Sequence, residues 1–289
     1  MISVILPIYN SELYLIDALE SLKNQTYKNF EVIIVDNCSN DNSIKLCIKY
    51  NKHLQIKILS IDNFGIIAKS RNLGIKSSNG DIISFLDSDD YWDKDKLLEV
   101  NNSFSKNNWD VFCHNEIAVN VKKKFIKKMK YGTNIKNLYK NLLILGNCLS
   151  TSAVSINKSF LFRNNLFFSE NKNFNTAEDY ELWLNLAKFN ARFNFSNKYL
   201  GYYRVDYNSN SLKNIKYHHM NVSNVLNYHL TNLNSKHLKK ICLARLQISD
   251  LKYNFKSIKI KSFFSKLKKL KFTEFLYIFY FFIIKLSKF

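Results

Sequence analysis

Short β-branched runs alternate with amphipathic stretches through the first 120 residues, and that alternation predicts the elements. Ser3 to Leu6 reads as a strand, and the helix after Ser11 sets Leu15, Leu19 and Leu22 on one face. Next come strand Phe30 to Val35, helix Asp41 to Tyr50, strand Ile56 to Ile61, helix Ile66 to Ser77 with Ala68 and Leu73 inward, and strand Asp81 to Leu86. Strands apolar on both faces and separated by helices predict an α/β fold with a Rossmann-like, mostly parallel central sheet flanked by helices.

From residue 122 the pattern loosens. Lys122 to Lys130 is a charge run, Leu149 to Ile156 reads as a strand, and a helix after Thr176 turns Leu182, Leu186 and Phe189 toward a core. Residues 236 to 271 carry 12 basic side chains against Asp250 alone on a helical pattern, a basic helical C-terminal extension. Phe275 to Ile284 is a ten-residue apolar run, half the roughly 20 residues that a bilayer span needs.

In open parallel sheets ligands sit beyond the carboxyl ends of the strands. Here those ends read Pro7-Ile8-Tyr9-Asn10, Asp36-Asn37, Asp62-Asn63 and Asp87-Ser88-Asp89-Asp90, which gathers carboxylates on one edge and predicts a cation there. Asp87 and Asp89, two apart at a strand end, point the same way and suit a hard divalent ion such as Mg²⁺ or Mn²⁺ with a diphosphate. The competing reading makes Ser88, Asp90 or Asp93 caps for a helix starting near Asp95. Asp36 can accept from a base edge or ribose hydroxyl, or close an Asx-turn. Tyr9 can stack on a nucleobase or pack at the core edge. Arg71 can reach a diphosphate, pair with Asp87 or lie solvated. The Glu178-Asp179 pair offers a general base, and equally an acidic first helical turn.

Composition narrows the classes. At 46% hydrophobic and 15% aromatic residues, a disordered chain is excluded. The net charge of +20 is divided unevenly: residues 1–120 hold 12 basic and 16 acidic side chains, and the remainder 31 and 7. Such a basic half serves nucleic acid, an anionic membrane surface or a phosphorylated substrate. Five dispersed cysteines without a C-x-x-C pair, and a first apolar run, Ile2 to Ile8, with no basic lead, read as a protein of the reducing cytosol.

Taken together, Ser3 to Asn10, Ala18 to Asp36 with Asn24-Gln25-Thr26-Tyr27, Asn63-Phe64-Gly65, Arg71 to Ile75, Phe85 to Trp92, Glu178 to Trp183 and Tyr202-Tyr203-Arg204 resemble the inverting glycosyltransferases of family 2, with the GT-A fold. The likeness covers roughly residues 1–210, with 1–120 expected to bind the nucleotide sugar and 121–210 the acceptor; 211–289 is left as the basic region. The resemblance implies a donor site of Pro7, Tyr9, Asn10, Asp36, Arg71, Asp87 and Ser88, a metal held by Asp89 with Asp87, and Asp179 as catalytic base. It also implies transfer of a single sugar from a nucleoside-diphosphate sugar, UDP by default, to a hydroxyl of a glycan or lipid-linked saccharide in cell-surface polysaccharide or lipooligosaccharide synthesis.

Two positions depart from the family pattern. Asn37 stands where a second Asp commonly follows Asp36, and Asp206 where a His often follows the Tyr-Arg pair. With no Gln-x-x-Arg-Trp segment, a processive synthase is disfavoured. The basic tail is assigned to an anionic membrane surface, making the protein peripheral on the cytoplasmic face. Competing readings are an inactive sugar-nucleotide-binding module, which Asn37 keeps alive, a nucleic-acid-binding protein, which gives no use for Asp87, Asp89 and Asp179, and a nucleotidyltransferase, which lacks its Gly-rich phosphate loop.

Overall fold

The computed structural model describes residues 1–132, 136–206, 214–231 and 233–255, with 247–255 given by backbone alone. Strands β1 (Ile2–Ile8), β2 (Phe30–Asp36), β3 (Ile56–Ser60) and β4 (Ile82–Phe85) alternate with helices α1 (Glu12–Lys23), α2 (Ser43–Tyr50) and α3 (Ile67–Lys76). Every residue of β1 and β2 is buried, as strands with helices over both faces require. Leu15, Ala18, Leu19 and Leu22 of α1 pack on Val4, Leu6, Val32 and Ile34, while Ala68 and Ile75 of α3 join Ile5, Ile33 and Val35 on the other face. Gly74 sets how near α3 lies: a Cβ there would stand 2.5 Å from Ile5 Cγ2.

The chain continues through β5 (Tyr91–Trp92), α4 (Lys96–Lys106), β6 (Val111–Asn120), β7 (Phe125–Met129), α5 (Leu138–Leu145), β8 (Val154–Asn157), α6 (Lys158–Arg163), α7 (Glu178–Lys188) and β9 (Phe193–Val205), then α8 (Ile215–Thr231) and α9 (Lys236–Phe255). Among the described residues one sheet runs β3-β2-β1-β4-β8-β6-β9-β5, with β7 beside β6. It is parallel from β3 to β4; β8 then lies antiparallel to both β4 and β6, and β9 runs parallel to β6. The β1–β4 part therefore carries the parallel character that the hydrophobic pattern predicts, and the rest of the sheet is mixed.

Several expectations are revised. The charge run at 122–130 contains β7, paired antiparallel with β6. Leu149 to Ile156 divides into a 3₁₀ turn at Thr151–Ala153 and then β8. Phe189 does not face the core: α7 ends at Lys188, and the capping Phe189 is 47% exposed, whereas Leu182 and Leu186 are fully buried. Asp41 lies ahead of α2, where its carboxylate accepts the Ser43 amide at 2.9 Å. Leu73 is partly buried and, as expected, packs against the core. Val225, Leu226 and Leu230 of α8 and Ile241, Cys242 and Leu246 of α9 belong to the same buried cluster as Leu142, Tyr180 and Leu184. Residues 256–289, with the apolar run Phe275 to Ile284, lie outside the described residues. No helix among the described residues is long and apolar enough to cross a membrane.

Candidate active site

The carboxyl ends of β1, β2 and β4 are stitched together by side chains from their own loops. Pro7 sits beyond Ile5–Phe85, the last pair of the β1–β4 ladder, so its missing amide costs no bond on that side. Asn10 turns the chain in left-handed geometry at φ 46°; its amide donates to Ser39 Oγ at 3.0 Å and its side chain accepts the Asn40 amide at 2.9 Å. Ser39 in turn donates its amide to both Asp36 oxygens at 3.2 Å, so the Asp36 carboxylate closes its own loop three residues on rather than the two of an Asx-turn. Ser11 Oγ joins the β1 loop to Ser88 Oγ at 2.8 Å. Cys38 and Phe64, in the loops after β2 and β3, are also left-handed, at φ 55° and 53°. Non-glycine residues concentrate in that strained region where function demands a particular loop shape. Tyr9 and Phe64 stand open to solvent at this edge, 60% and 71% exposed, so Tyr9 is not core packing.

The segment 87–90 is not a cap for α4. Asp90 is buried, its carboxylate accepting from Ser152 Oγ at 2.6 Å and the Arg204 amide at 2.9 Å, and Ser88 faces Ser11. Only Asp93 acts locally, accepting the Asp95 amide at 3.0 Å. With Asp90 pinned inward, Asp87 and Asp89 are the half-buried carboxylates of the loop. Burial, and next the charge of Asp87, push the Asp89 carboxyl up to about 6.

That surplus of negative charge fits a cation. Two carboxylates are a suitable share for Mg²⁺ or Mn²⁺, which complete their shells with phosphate oxygens and water. No cluster of three or more His, Cys, Asp or Glu of metal-binding arrangement occurs among the described residues.

Arg71 links this loop to α7. It is 4% exposed and far from solvated; Nη2 donates to Asp87 Oδ1 at 2.8 Å and Nη1 to Glu178 Oε1 at 2.7 Å, with the Phe168 ring 5.2 Å from the guanidinium carbon. Rather than gripping Asp87 with both nitrogens, it spans two carboxylates, whose charges hold it protonated despite its burial. Arg71 Nε and Glu178 Oε2 are buried without a protein partner. Asp179 follows directly, its Oδ2 accepting from Asn147 Nδ2 at 3.1 Å. Burial, then the charge of Glu178, push the Asp179 carboxyl up to about 7, while Arg71 pulls it partly back. A carboxylate with that affinity is suited to taking a proton near neutral pH. Thr176, at φ 69°, turns the chain into α7, and its Oγ1 lies 3.1 Å from His218 Nδ1 of α8.

Other supports carry no hydrophobic or spacing signal of their own. Ser152 receives the Asp87 amide at 3.1 Å and holds Asp90, while its carbonyl accepts from Trp92 Nε1 at 2.8 Å. Buried Arg204 donates to the Asp89 carbonyl at 2.8 Å, Asp17 Oδ2 at 2.7 Å and the Val121 carbonyl at 3.2 Å; only its place in Tyr202-Tyr203-Arg204 marked it. Arg245 of α9 donates to the Leu143 carbonyl at 2.7 Å and Tyr180 Oη at 3.0 Å, anchoring the C-terminal helix beside Asp179. The two departures are absorbed locally. Asn37 Oδ1 accepts the Asn63 amide at 2.8 Å, tying the β2 and β3 loops, and Asp206 accepts from Tyr14 Oη at 2.9 Å.

Comparison with known proteins finds relatives of this chain. An uncharacterized glycosyltransferase of Rickettsia conorii is 36% identical over 191 residues, 66% of this chain and 30% of that protein. The chain thus spans about a third of that relative's length. The Escherichia coli UDP-Glc:alpha-D-GlcNAc-diphosphoundecaprenol beta-1,3-glucosyltransferase WfgD is 32% identical over 197 residues, 66% of this chain and 71% of that enzyme. The crystal structure of Staphylococcus aureus TarS residues 1–349 in complex with UDP superposes with a TM-score of 0.65 at 26% identity, covering 94% of this chain and 76% of that one. The family profile described as Glycosyl transferase family 2 matches residues 3–167, more than half of the sequence, and the chain belongs to that family.

Proposed function

We propose that the protein is an inverting, metal-assisted glycosyltransferase. It moves one sugar from a UDP-sugar to a hydroxyl of a glycan or lipid-linked saccharide in cell-surface polysaccharide or lipooligosaccharide assembly. The observation that carries this reading is the Asp87–Arg71–Glu178 chain of ion pairs, which ties the loop of Asp87 and Asp89 to the start of α7, where Asp179 follows Glu178. UDP is favoured because TarS was crystallised with it and WfgD is named for a UDP-sugar.

In this reading residues 1–120 bind the donor. Pro7, Tyr9, Asn10, Asp36 and Ser88 line the nucleoside side, and Arg71 orients Asp87. Asp87 and Asp89 would hold Mn²⁺ or Mg²⁺, which supplies electrostatic stabilisation to a departing diphosphate. Asp179 takes the proton of the acceptor hydroxyl as that oxygen attacks the anomeric carbon from the face opposite the leaving UDP, so configuration inverts in one displacement. Residues 121–210 receive the acceptor, and 211–289 bring the basic region to the cytoplasmic face of a membrane as a peripheral attachment. Nucleic acid has no part in it.

The test is nucleotide release from UDP-glucose, UDP-N-acetylglucosamine, and GDP- and dTDP-sugars, with Mn²⁺, in the presence of isoprenoid-diphosphate-linked saccharides. Acceptor-dependent release with a β-linked product from an α-linked donor is expected. Retention of the donor's configuration, or release only from GDP- or dTDP-sugars, would overturn the corresponding part of the proposal.

A further inference from the structure

The tip of the β6–β7 hairpin combines charge and apolar surface in a way that the transfer reaction does not use. Residues 122–130 contain six lysines and no acidic side chain. Val121, Phe125 and Ile126 are 45%, 63% and 42% exposed on the same tip. Among the described strands β7 pairs only with β6, so it forms an edge. Lysines commonly guard such an edge against pairing with another chain, but that role gives no reason to expose Phe125 and Ile126 beside them.

Two of the lysines are tied back to the fold. Lys123 Nζ lies 2.6 Å from Asp17 Oδ1, and Lys128 Nζ sits 5.3 Å from the Tyr199 ring centre. Among the described residues no carboxylate pairs with Lys122, Lys124, Lys127 or Lys130. A polyanion such as nucleic acid would engage those ammonium groups and leave Val121 and Ile126, which cannot stack on bases, in water. An anionic bilayer accommodates both kinds of side chain, with phosphate headgroups for the lysines and the acyl boundary for the apolar groups. Position agrees: Arg204 holds the Val121 carbonyl at the tip of the hairpin and the Asp89 carbonyl in the acidic loop at once.

We propose that the β6–β7 tip, residues 121–127, is a membrane-contact surface that seats the protein on an anionic bilayer and brings the rim of the acidic site to the lipid interface. The proposal rests on residues 121–127 and does not depend on which sugar is moved.

The experiment uses the full-length chain with Phe125→Trp, mixed with vesicles of phosphatidylcholine alone or with phosphatidylglycerol, with and without brominated acyl chains. Trp92 and Trp183 are buried and Trp109 is partly buried, so the unsubstituted protein supplies the tryptophan background to be subtracted. With phosphatidylglycerol present, the variant's emission should shift to the blue and be quenched by the brominated lipid, beyond any change in the unsubstituted protein. Replacing Lys122, Lys124 and Lys127 with Gln should weaken co-sedimentation with anionic vesicles on the order of a hundredfold. Three results would overturn the proposal: no partition onto anionic vesicles, partition with unchanged Phe125→Trp emission, or salt-sensitive binding of RNA without vesicle binding.

Discussion

Asp179→Asn should fold as well as the parent chain and transfer sugar roughly 10²–10⁴-fold more slowly, the range expected when a positioned general base is lost. The amide keeps the size of the side chain and its approach to Asn147, so the loss falls on proton transfer. Stability should not suffer. A carboxyl held at about 7 in the folded protein, against an ordinary value near 4, favours folding only while it is protonated. That contribution is complete at acid pH and disappears as the pH rises toward 7, so at pH 8 the ionised Asp179 opposes folding and a neutral Asn does not. In the parent enzyme kcat/KM should climb with pH up to about 7 and then level off, and the residual rate of the variant should lack that inflection. Thermal melts and a pH profile of UDP release check both parts; an active variant with an unchanged pH profile would place the base elsewhere.

Arg71→Met should have the largest effect on the fold. It strands Glu178, 5% exposed, beside Asp179, and removing one partner from a buried ion pair typically costs about 3–5 kcal/mol. Urea denaturation measures this loss, and adding Glu178→Gln should recover part of it, because the uncompensated charge is then gone. Arg71→Lys separates the fold from the site. A single ammonium keeps one positive charge but cannot span Asp87 and Glu178 as the planar guanidinium does. This variant should stay folded while transfer drops roughly 10–100-fold, as when the orientation of a ligating group is lost. Full activity in Arg71→Lys would show that the bridge between Asp87 and Glu178 is dispensable.

The sequence revealed the parts of the molecule that obey simple periodicity. β1 to β4 and the helices between them have unbroken apolar faces, and the acidic residues at their carboxyl ends fall where the sheet places them. β6 was hidden because His114, Asn115 and Glu116 interrupt its middle, although all three are buried. β9 was hidden by its length and by two breaks of register against β6, which leave alternately buried and open stretches with no two-residue period. Polar supports such as Ser152, Arg204 and Arg245 are invisible to hydrophobic patterning because their roles are made by partners distant in sequence: Ser152 holds Asp90, and Arg245 reaches Leu143. Arg71 shows the opposite limit: its residue type and place were read, but only the fold could reveal Glu178 as its second partner.

The central claim is that the loop at 87–89 binds a nucleoside diphosphate with a divalent cation. Calorimetric titration of UDP, GDP and dTDP into the full-length protein, with Mn²⁺ and again with EDTA, tests it most directly when repeated on Asp89→Ala. UDP binding should require Mn²⁺ and vanish in the variant. Failure of UDP, GDP and dTDP alike to bind under either condition would contradict it.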